Sequence, residues 1–310
     1  MQHIPVLLEE SVSLLNIKPD GVYLDGTFGR GGHSKKILSQ LNDKGRLFAI
    51  DKDPQAVSYA KKTIQDKRVK IFHHDFAHLG KLNLPKINGA LFDFGVCSTH
   101  FDDPQRGFSL NKDGPLDMRM NNLEGISAEK WINETPEEDM ANIFFKYGEE
   151  KQSRKIAKLI SIYRSEQRIE STLQLANLIS SSIKSKSRIH PATKIFQAIR
   201  IEVNQEISAI EMMLDALDKI LLPGARVAII SFHSLEDRII KNYYSPKTLS
   251  YPKEIPINNT IDESYRAVEK KLRAKPEEVK ANPRSRSAVL RVYAKKWVIP
   301  RSIFYISYSF

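Results

Sequence analysis

The chain has 310 residues, 41% of them hydrophobic, a formal net charge of +11 and a single cysteine, Cys97. That length and apolar content suit one large domain or two smaller ones with a substantial core, and one cysteine excludes an intramolecular disulfide. The opening Met1-Gln2-His3-Ile4-Pro5 lacks the basic and apolar regions of a signal peptide, and acids interrupt the most apolar later stretches, so a cytoplasmic protein with no membrane span is expected.

A first strand is predicted over 22–25, followed by a glycine-rich turn and a helix over 33–41. A second strand over 47–50 runs into Asp51. Pro54 opens the next helix at its first position, with Ala56, Val57, Ala60 and Ile64 on one face. Further strands are predicted over 69–72 and 90–94. Alternating strand and helix patterns predict a parallel, doubly wound sheet, whose ligands sit beyond the carboxyl ends of the strands. Asp25, Asp51, Phe76 and Asp93 all fall at or just after such ends.

The alternation then stops. A polar, glycine-containing loop covers 102–120, and residues 127–187 read as successive helices. Pro191 starts a helical pattern reaching about residue 222, which Pro223-Gly224 stops. Strand character returns over 226–232 and 288–293, and the proline- and charge-rich stretch 245–282 reads as irregular in part. The expected fold class is α/β: a Rossmann-like, mostly parallel doubly wound sheet with an inserted all-α domain. Residues 1–101 and 208–310 would form the core, and residues 102–207 the insert, with RNA recognition as its expected role.

Charge is uneven. Residues 146–200 hold 12 Lys/Arg against 4 Asp/Glu, and residues 266–296 hold 11 against 3, a net of +8 in each. The remainder carries −5. Two basic segments on a mildly acidic body suggest a polyanionic partner, although lysine-rich helices are also simply well solvated.

The turn at 25–32 reads D-x-T-x-G-x-G-G. A dinucleotide enzyme uses G-x-G-x-x-G, which sets the pyrophosphate on a helix N-terminus. Gly26, Gly29, Gly31 and Gly32 do not fit that register, which argues against a nicotinamide oxidoreductase. The turn is instead close to the D-x-G-x-G-x-G of S-adenosylmethionine (SAM) methyltransferases, with Thr27 in the first glycine slot. Asp51, about 20 residues further on, is placed to bind ribose hydroxyls.

Asp93, after the fourth strand, is the candidate catalytic residue. An exocyclic amine is a poor nucleophile, and an acceptor on its N–H groups restores electron density to the nitrogen during attack. Its competing reading is a carboxylate that only positions the cofactor. The absence of a D/N-P-P-Y/F/W motif at 93–96 argues against a DNA amino-methyltransferase. Phe232 and His233 are candidates to stack on or hydrogen-bond an extruded base, and Arg119 is a further candidate substrate contact. Ser234 with Asp237 resembles a variant capping box. His73, His74 and His78 have metal-like spacing but no accompanying cysteine or H-E-x-x-H pattern, so no metal is expected. Cys97 lacks an evident triad partner and is expected to pack as a small residue.

Across nearly its whole length the chain resembles the small-subunit rRNA cytosine-N4 methyltransferase H family, also called MraW. The match rests on His3-x-Pro5-Val6-Leu7-Leu8, DGTFGRGGHS at 25–34, AIDKDP at 49–54, RGFS at 106–109, GPLDMRM at 114–120, YGEE at 147–150, HPAT at 190–193, SFHSLEDR at 231–238 and NPRSRSAVLR at 282–291. The resemblance implies SAM as cofactor and N4-methylation of a cytidine in the decoding (P-site) region of 16S rRNA. It implies cofactor contacts at Gly31, Gly32, His33, Asp51, Phe76 and Asp93, with Phe76 flanking the adenine. After the fourth strand, members usually carry D-L-G-V-S-S-P-Q-L-D, where this chain has Phe94, Cys97, Thr99, His100 and Phe101. His100 stands in place of a glutamine that contacts the cofactor. These departures keep open a catalytically silent rRNA-binding or assembly factor. Residues 299–310 have no counterpart and read equally as an edge strand or a tail.

Overall fold

A computed structural model describes residues 4–183, 190–245, 247–248, 261–262 and 264–297 of the protein. His3, the end of the expected helical run at 184–187 and the aromatic stretch 299–310 lie outside the described residues.

In chain order the first half holds α1 (Leu8–Leu15), β1 (Val22–Asp25), α2 (Gly32–Leu38), β2 (Arg46–Asp51), α3 (Pro54–Thr63), β3 (Val69–His73), β4 (Ile87–Asp93) and α4 (Ser98–Asp102). Helices follow: α5 (Ala128–Glu134), α6 (Glu137–Gly148), α7 (Ser153–Glu166), α8 (Thr172–Ser182), α9 (Thr193–Val203) and α10 (Glu206–Ile220). The chain then returns through β5 (Leu221–Ser231), α11 (Ser234–Tyr244), the short pair β6 (Lys247–Thr248) and β7 (Ile261–Asp262), β8 (Tyr265–Arg273), α12 (Pro276–Ala281) and β9 (Val289–Lys295).

One seven-stranded sheet has the order β3-β2-β1-β4-β5-β9-β8. The pairs from β3 to β5 are parallel, and β9 and β8 add antiparallel at one edge. The central strands are buried on both faces, which is why they read as continuous apolar runs. Side chains still alternate across the sheet. Leu24, Phe92 and Ile229 join the cluster under α10 and α11, while Tyr23, Leu91 and Ile230 join the cluster under α1 and α2. A third apolar cluster, including Phe108, Leu116, Phe144, Ile160, Leu175 and Ile199, is built entirely from residues between β4 and α10.

Three sequence expectations are corrected. The long helix expected from Pro191 is two helices, because Gln205 adopts a left-handed φ of 53° between them. Asn204 stabilises the break by accepting from Met120 N–H (2.7 Å) and donating to Met118 O (2.7 Å). Pro223-Gly224 stops no helix. α10 ends at Ile220, and the pair lies within β5, where the register against β4 shifts. The stretch 245–282 contains the nine-residue edge strand β8 and the helix α12. β8 is missed because only one side pairs and two register irregularities break its alternation. No helix among the described residues is long and apolar enough to cross a membrane.

Candidate active site

A cavity of about 690 Å³ opens at the carboxyl ends of β1, β2 and β4. Asp51, Phe76, Asp93, Gly95, His100 and Phe232 line it, together with Gly32 and His33 from the turn into α2. The N-terminal stretch at Ile4–Val6 and the Asn282–Arg284 stretch lie on its rim. Leu7 N–H donates to Glu278 Oε1 (2.8 Å) and Asn282 Nδ2 donates to Ile4 O (3.2 Å), tying these two rims together.

The glycine turn is shaped by its own protein neighbours. Gly31 sits at φ 74° as the residue before α2, a backbone region costly for other residues. A Cβ there would lie 2.5 Å from the Phe28 ring, and one at Gly32 would lie 2.1 Å from Pro5. The glycine pattern predicts crowding by the cofactor, whereas the structure shows crowding already present within the protein. Gly31 itself is not on the cavity wall.

Asp51 holds the turn. Its Oδ2 accepts from Gly29 N–H (2.7 Å) and its Oδ1 from Asp53 N–H (2.8 Å). Burial raises the Asp51 carboxyl above its usual range, and those two N–H groups oppose the rise. Asp25 lies beneath, fully buried, accepting from Ser34 Oγ (2.6 Å). Burial pushes it up to about 6 against that hydrogen bond. Asp93 differs. Its backbone N–H donates to Thr27 Oγ1 (2.6 Å), its Oδ2 lies 3.9 Å from His33 Nδ1, and its buried Oδ1 has no hydrogen-bond partner among the described residues. Burial first, then the charges of Asp25, Glu236 and Glu278, drive its carboxyl well above the usual range. His33 Nε2 donates to Val6 O (3.1 Å), which fixes the ring against the N-terminal stretch.

His100 is buried and stacks on Phe108, with ring centroids 5.0 Å apart. Its Nε2 donates to Asp53 Oδ2 (2.7 Å), and the buried Nδ1 has no partner among the described residues. Arg106, also buried, donates to the same Asp53 oxygen (3.2 Å) and to the carbonyls of Arg119 (3.0 Å) and Met120 (2.8 Å). Burial alone would raise Asp53, but the hydrogen bond and charge of His100, with Arg106, hold it below its usual range. Sequence reasoning missed Asp53 and Arg106. Their only sequence signal is membership of the 49–54 and 106–109 motifs.

His233 takes a role that sequence reasoning gave to Ser234. It is the N-cap of α11, its Nδ1 accepting from Glu236 N–H (3.5 Å), and Glu236 Oε2 receives the N–H groups of Phe232 (2.7 Å) and His233 (3.3 Å). The capping box is therefore His233/Glu236 rather than Ser234/Asp237. His233 Nε2 and Glu236 Oε1 sit 3.1 Å apart at angles that miss a hydrogen bond. His233 is not on the cavity wall, though Phe232 and Glu236 are. Glu206, His233 and Glu236 cluster closely enough to consider a metal. Arg200 occupies both Glu206 oxygens at 2.8 Å, however, and the helix cap uses the one lone pair of a neutral His233. The cluster is an ion-pair network. His73 and His74 bond backbone carbonyls of Lys52 and His78. Arg119 lies off the cavity wall, its guanidinium held by Asp117 at 2.7 and 2.9 Å. Cys97 lines the cavity, half-buried.

The model of the MraW methylase family matches residues 1–296. A protein of Shewanella violacea named ribosomal RNA small subunit methyltransferase H is 49% identical over 301 residues, spanning 94% of this chain and 96% of that one. A protein of the same name from Xylella fastidiosa is 46% identical over 305 residues, spanning 95% and 97%. Among solved structures, an rRNA methylase from Streptococcus thermophilus aligns over 96% of this chain and 100% of its own, at 12% identity and a TM-score of 0.41.

Proposed function

The chain belongs to the MraW methylase family, and from that premise we propose that it transfers a methyl group from SAM to N4 of a cytidine in the decoding region of 16S rRNA, acting in the cytoplasm. SAM supplies an electrophilic methyl on a sulfonium. The observation that carries the reading is one cavity in which Asp51 braces a glycine turn and Asp93 presents a buried oxygen with no partner among the described residues. An unpaired buried acceptor costs about 1–3 kcal/mol, and a ligand donor arriving at Asp93 removes that cost.

Asp51, Gly32, His33 and Phe76 bind and orient the cofactor in this reading, and His100 closes that wall. Gly31 acts by setting the bend. Asp93 would accept from an N–H of the target amine and take up the proton that the amine loses as it gains the methyl group. Positioning of this kind supplies much of the rate in a displacement. Phe232 offers a ring to an extruded base. His233 acts behind it as the cap that fixes Phe232, and Arg119 has no part at the cavity. The segment 102–207 supplies Asp102 and Met120 to the opposite wall.

The test is methyl transfer from labelled SAM to small-subunit particles or rRNA lacking the mark, with nucleoside mass spectrometry. N4-methylcytidine in the decoding region is expected, and its absence overturns the reading. RNA binding without SAM binding in calorimetry would establish a silent assembly factor instead.

A further inference from the structure

We propose that the strip running from β8 through α12 to the turn at Pro283–Ser287 is the track on which phosphates of the RNA lie as the target nucleotide enters the cavity. The proposal rests on the RNA substrate proposed above and adds where that RNA is held.

Charge alone favours neither of the two basic segments, since each carries +8. The structure separates them. In the helical segment five of the nine described cations hold a hydrogen bond or ion pair within the protein, while Lys151, Arg154 and Lys158 are exposed without one among the described residues. Lys155 Nζ donates to Ser182 O (2.9 Å), Arg164 Nη1 to Ile132 O (2.6 Å) and Lys194 Nζ to Glu149 O (2.9 Å). Arg168 pairs with Glu129 (2.7 Å), and Arg200 with Glu206 (2.8 Å). On the strip, Arg266, Lys270, Arg273, Lys280 and Arg286 are exposed and make no ion pair or side-chain hydrogen bond among the described residues. Their charge remains available to a polyanion, and counterion release rewards its use.

The strip also leads somewhere. β8 is the edge of the sheet, and nine strand residues extend about 30 Å. α12 and the following turn then carry the chain to Asn282–Arg284, on the cavity rim. There Arg284 lies 5.1 Å over the Phe101 ring and 3.5 Å from Asp102, both on α4. The hydrogen bonds of Glu278 and Asn282 across the rim keep the end of the strip in place. A plainer account exists, because lysines on an edge strand discourage pairing with a second chain. It covers Arg266, Lys270 and Arg273 but not Lys280 and Arg286, which lie beyond the strand.

The test compares three sets of substitutions in the full chain: Arg266→Gln/Lys270→Gln/Arg273→Gln, Lys280→Gln/Arg286→Gln, and a control on α7 and the turn just before it (the α7 set), Lys151→Gln/Arg154→Gln/Lys158→Gln. Anisotropy with a 16S rRNA fragment containing the decoding region is read across salt concentrations, alongside SAM calorimetry. Each strip set is expected to weaken RNA binding by about tenfold or more. Each should also flatten the salt slope by about 0.7–0.9 for every phosphate no longer neutralised, with SAM affinity unchanged. The α7 set should cost less than about threefold. A loss confined to the α7 set overturns the track and leaves the RNA substrate standing. So does unchanged RNA affinity in strip variants that now self-associate. An unmodified chain that binds no RNA overturns the substrate reading and the track with it.

Discussion

Asp51 and Asp93 end the two strands that flank β1, and both face one cavity, yet their surroundings are opposite. Asp51 has each oxygen bonded to a backbone N–H, so its carboxylate is part of the turn's architecture before any ligand arrives. Asp93 has one oxygen with no hydrogen bond, with three acidic neighbours adding to the effect of burial. The difference teaches where ligand energy is to be gained. A bonded carboxylate can add hydrogen bonds to a ribose while its own cost is already offset within the fold. An unbonded one is relieved by taking up a proton or when a donor or cation enters, so its protonation and its chemistry are tied to occupancy.

The sharpest way to break this comparison is Asp93→Ala. Turnover should fall by about 10²–10⁴, the range for loss of a positioned acid–base or electrostatic group, in a labelled methyl-transfer assay at saturating SAM. Full activity would remove Asp93 from the mechanism and leave it a spacer. Next in size is Asp51→Asn, which keeps one acceptor of two. Calorimetry should show SAM affinity reduced about 10- to 100-fold, the equivalent of about 1.5–3 kcal/mol for hydrogen bonds to a charged group. Turnover at saturation should fall much less than in Asp93→Ala. If both variants lose turnover equally and neither loses affinity, the division of labour is wrong.

pH gives a third test, in stability. The folded-state values of Asp25 and Asp93 are raised, so folding favours their protonated forms. Their stabilising contribution is fully present below the unfolded value near 3.8. For Asp25 it is lost as pH rises through about 6, and for Asp93 as pH rises through its own raised folded value. The melting temperature should therefore decline from pH 5 to pH 8. Asp93→Asn, which cannot ionise, should flatten that decline and raise the pH 8 midpoint by about 2–4 °C, the shift expected of about 1 kcal/mol. An unchanged decline in the variant would show that Asp93 is already ionised in the empty cavity.

How much of this was legible in the sequence follows from which interactions are local. The central parallel strands were readable because both faces are buried, leaving unbroken apolar runs between turns. Asp51 and Asp93 were readable because they end those runs. The break at Asn204–Gln205 was not, since neither residue is a glycine or proline and the interruption is held by bonds to Met118 and Met120, more than 80 residues away. His233 as a helix cap was hidden for a different reason. Serine at 234 is the commoner cap type, and only the carboxylate of Glu236 reaching back to two N–H groups selects the residue before it. The buried Asp53–His100–Arg106 group was invisible because its members come from three separate segments.

That group supplies the smallest effect and the finest adjustment of the comparison. Asp53 lies two residues from Asp51 but has its carboxyl held down, because His100 and Arg106 outweigh its burial. Its contribution is therefore present above about pH 4 and lost as pH falls through the depressed folded value. His100→Gln keeps a donor within reach of Asp53 and leaves Arg106 in place, while removing the ring stacked on Phe108. The expected cost is about 1 kcal/mol, seen as a melting point lower by about 2–4 °C, with SAM affinity within about threefold. His100→Ala should cost more stability, since Asp53 loses one of its two buried side-chain donors. If His100→Gln instead lowers SAM affinity tenfold with the melting point unchanged, the imidazole itself contacts the cofactor through its unpartnered Nδ1. Then a third position, beside Asp51 and Asp93, would have its bonding completed only by the ligand.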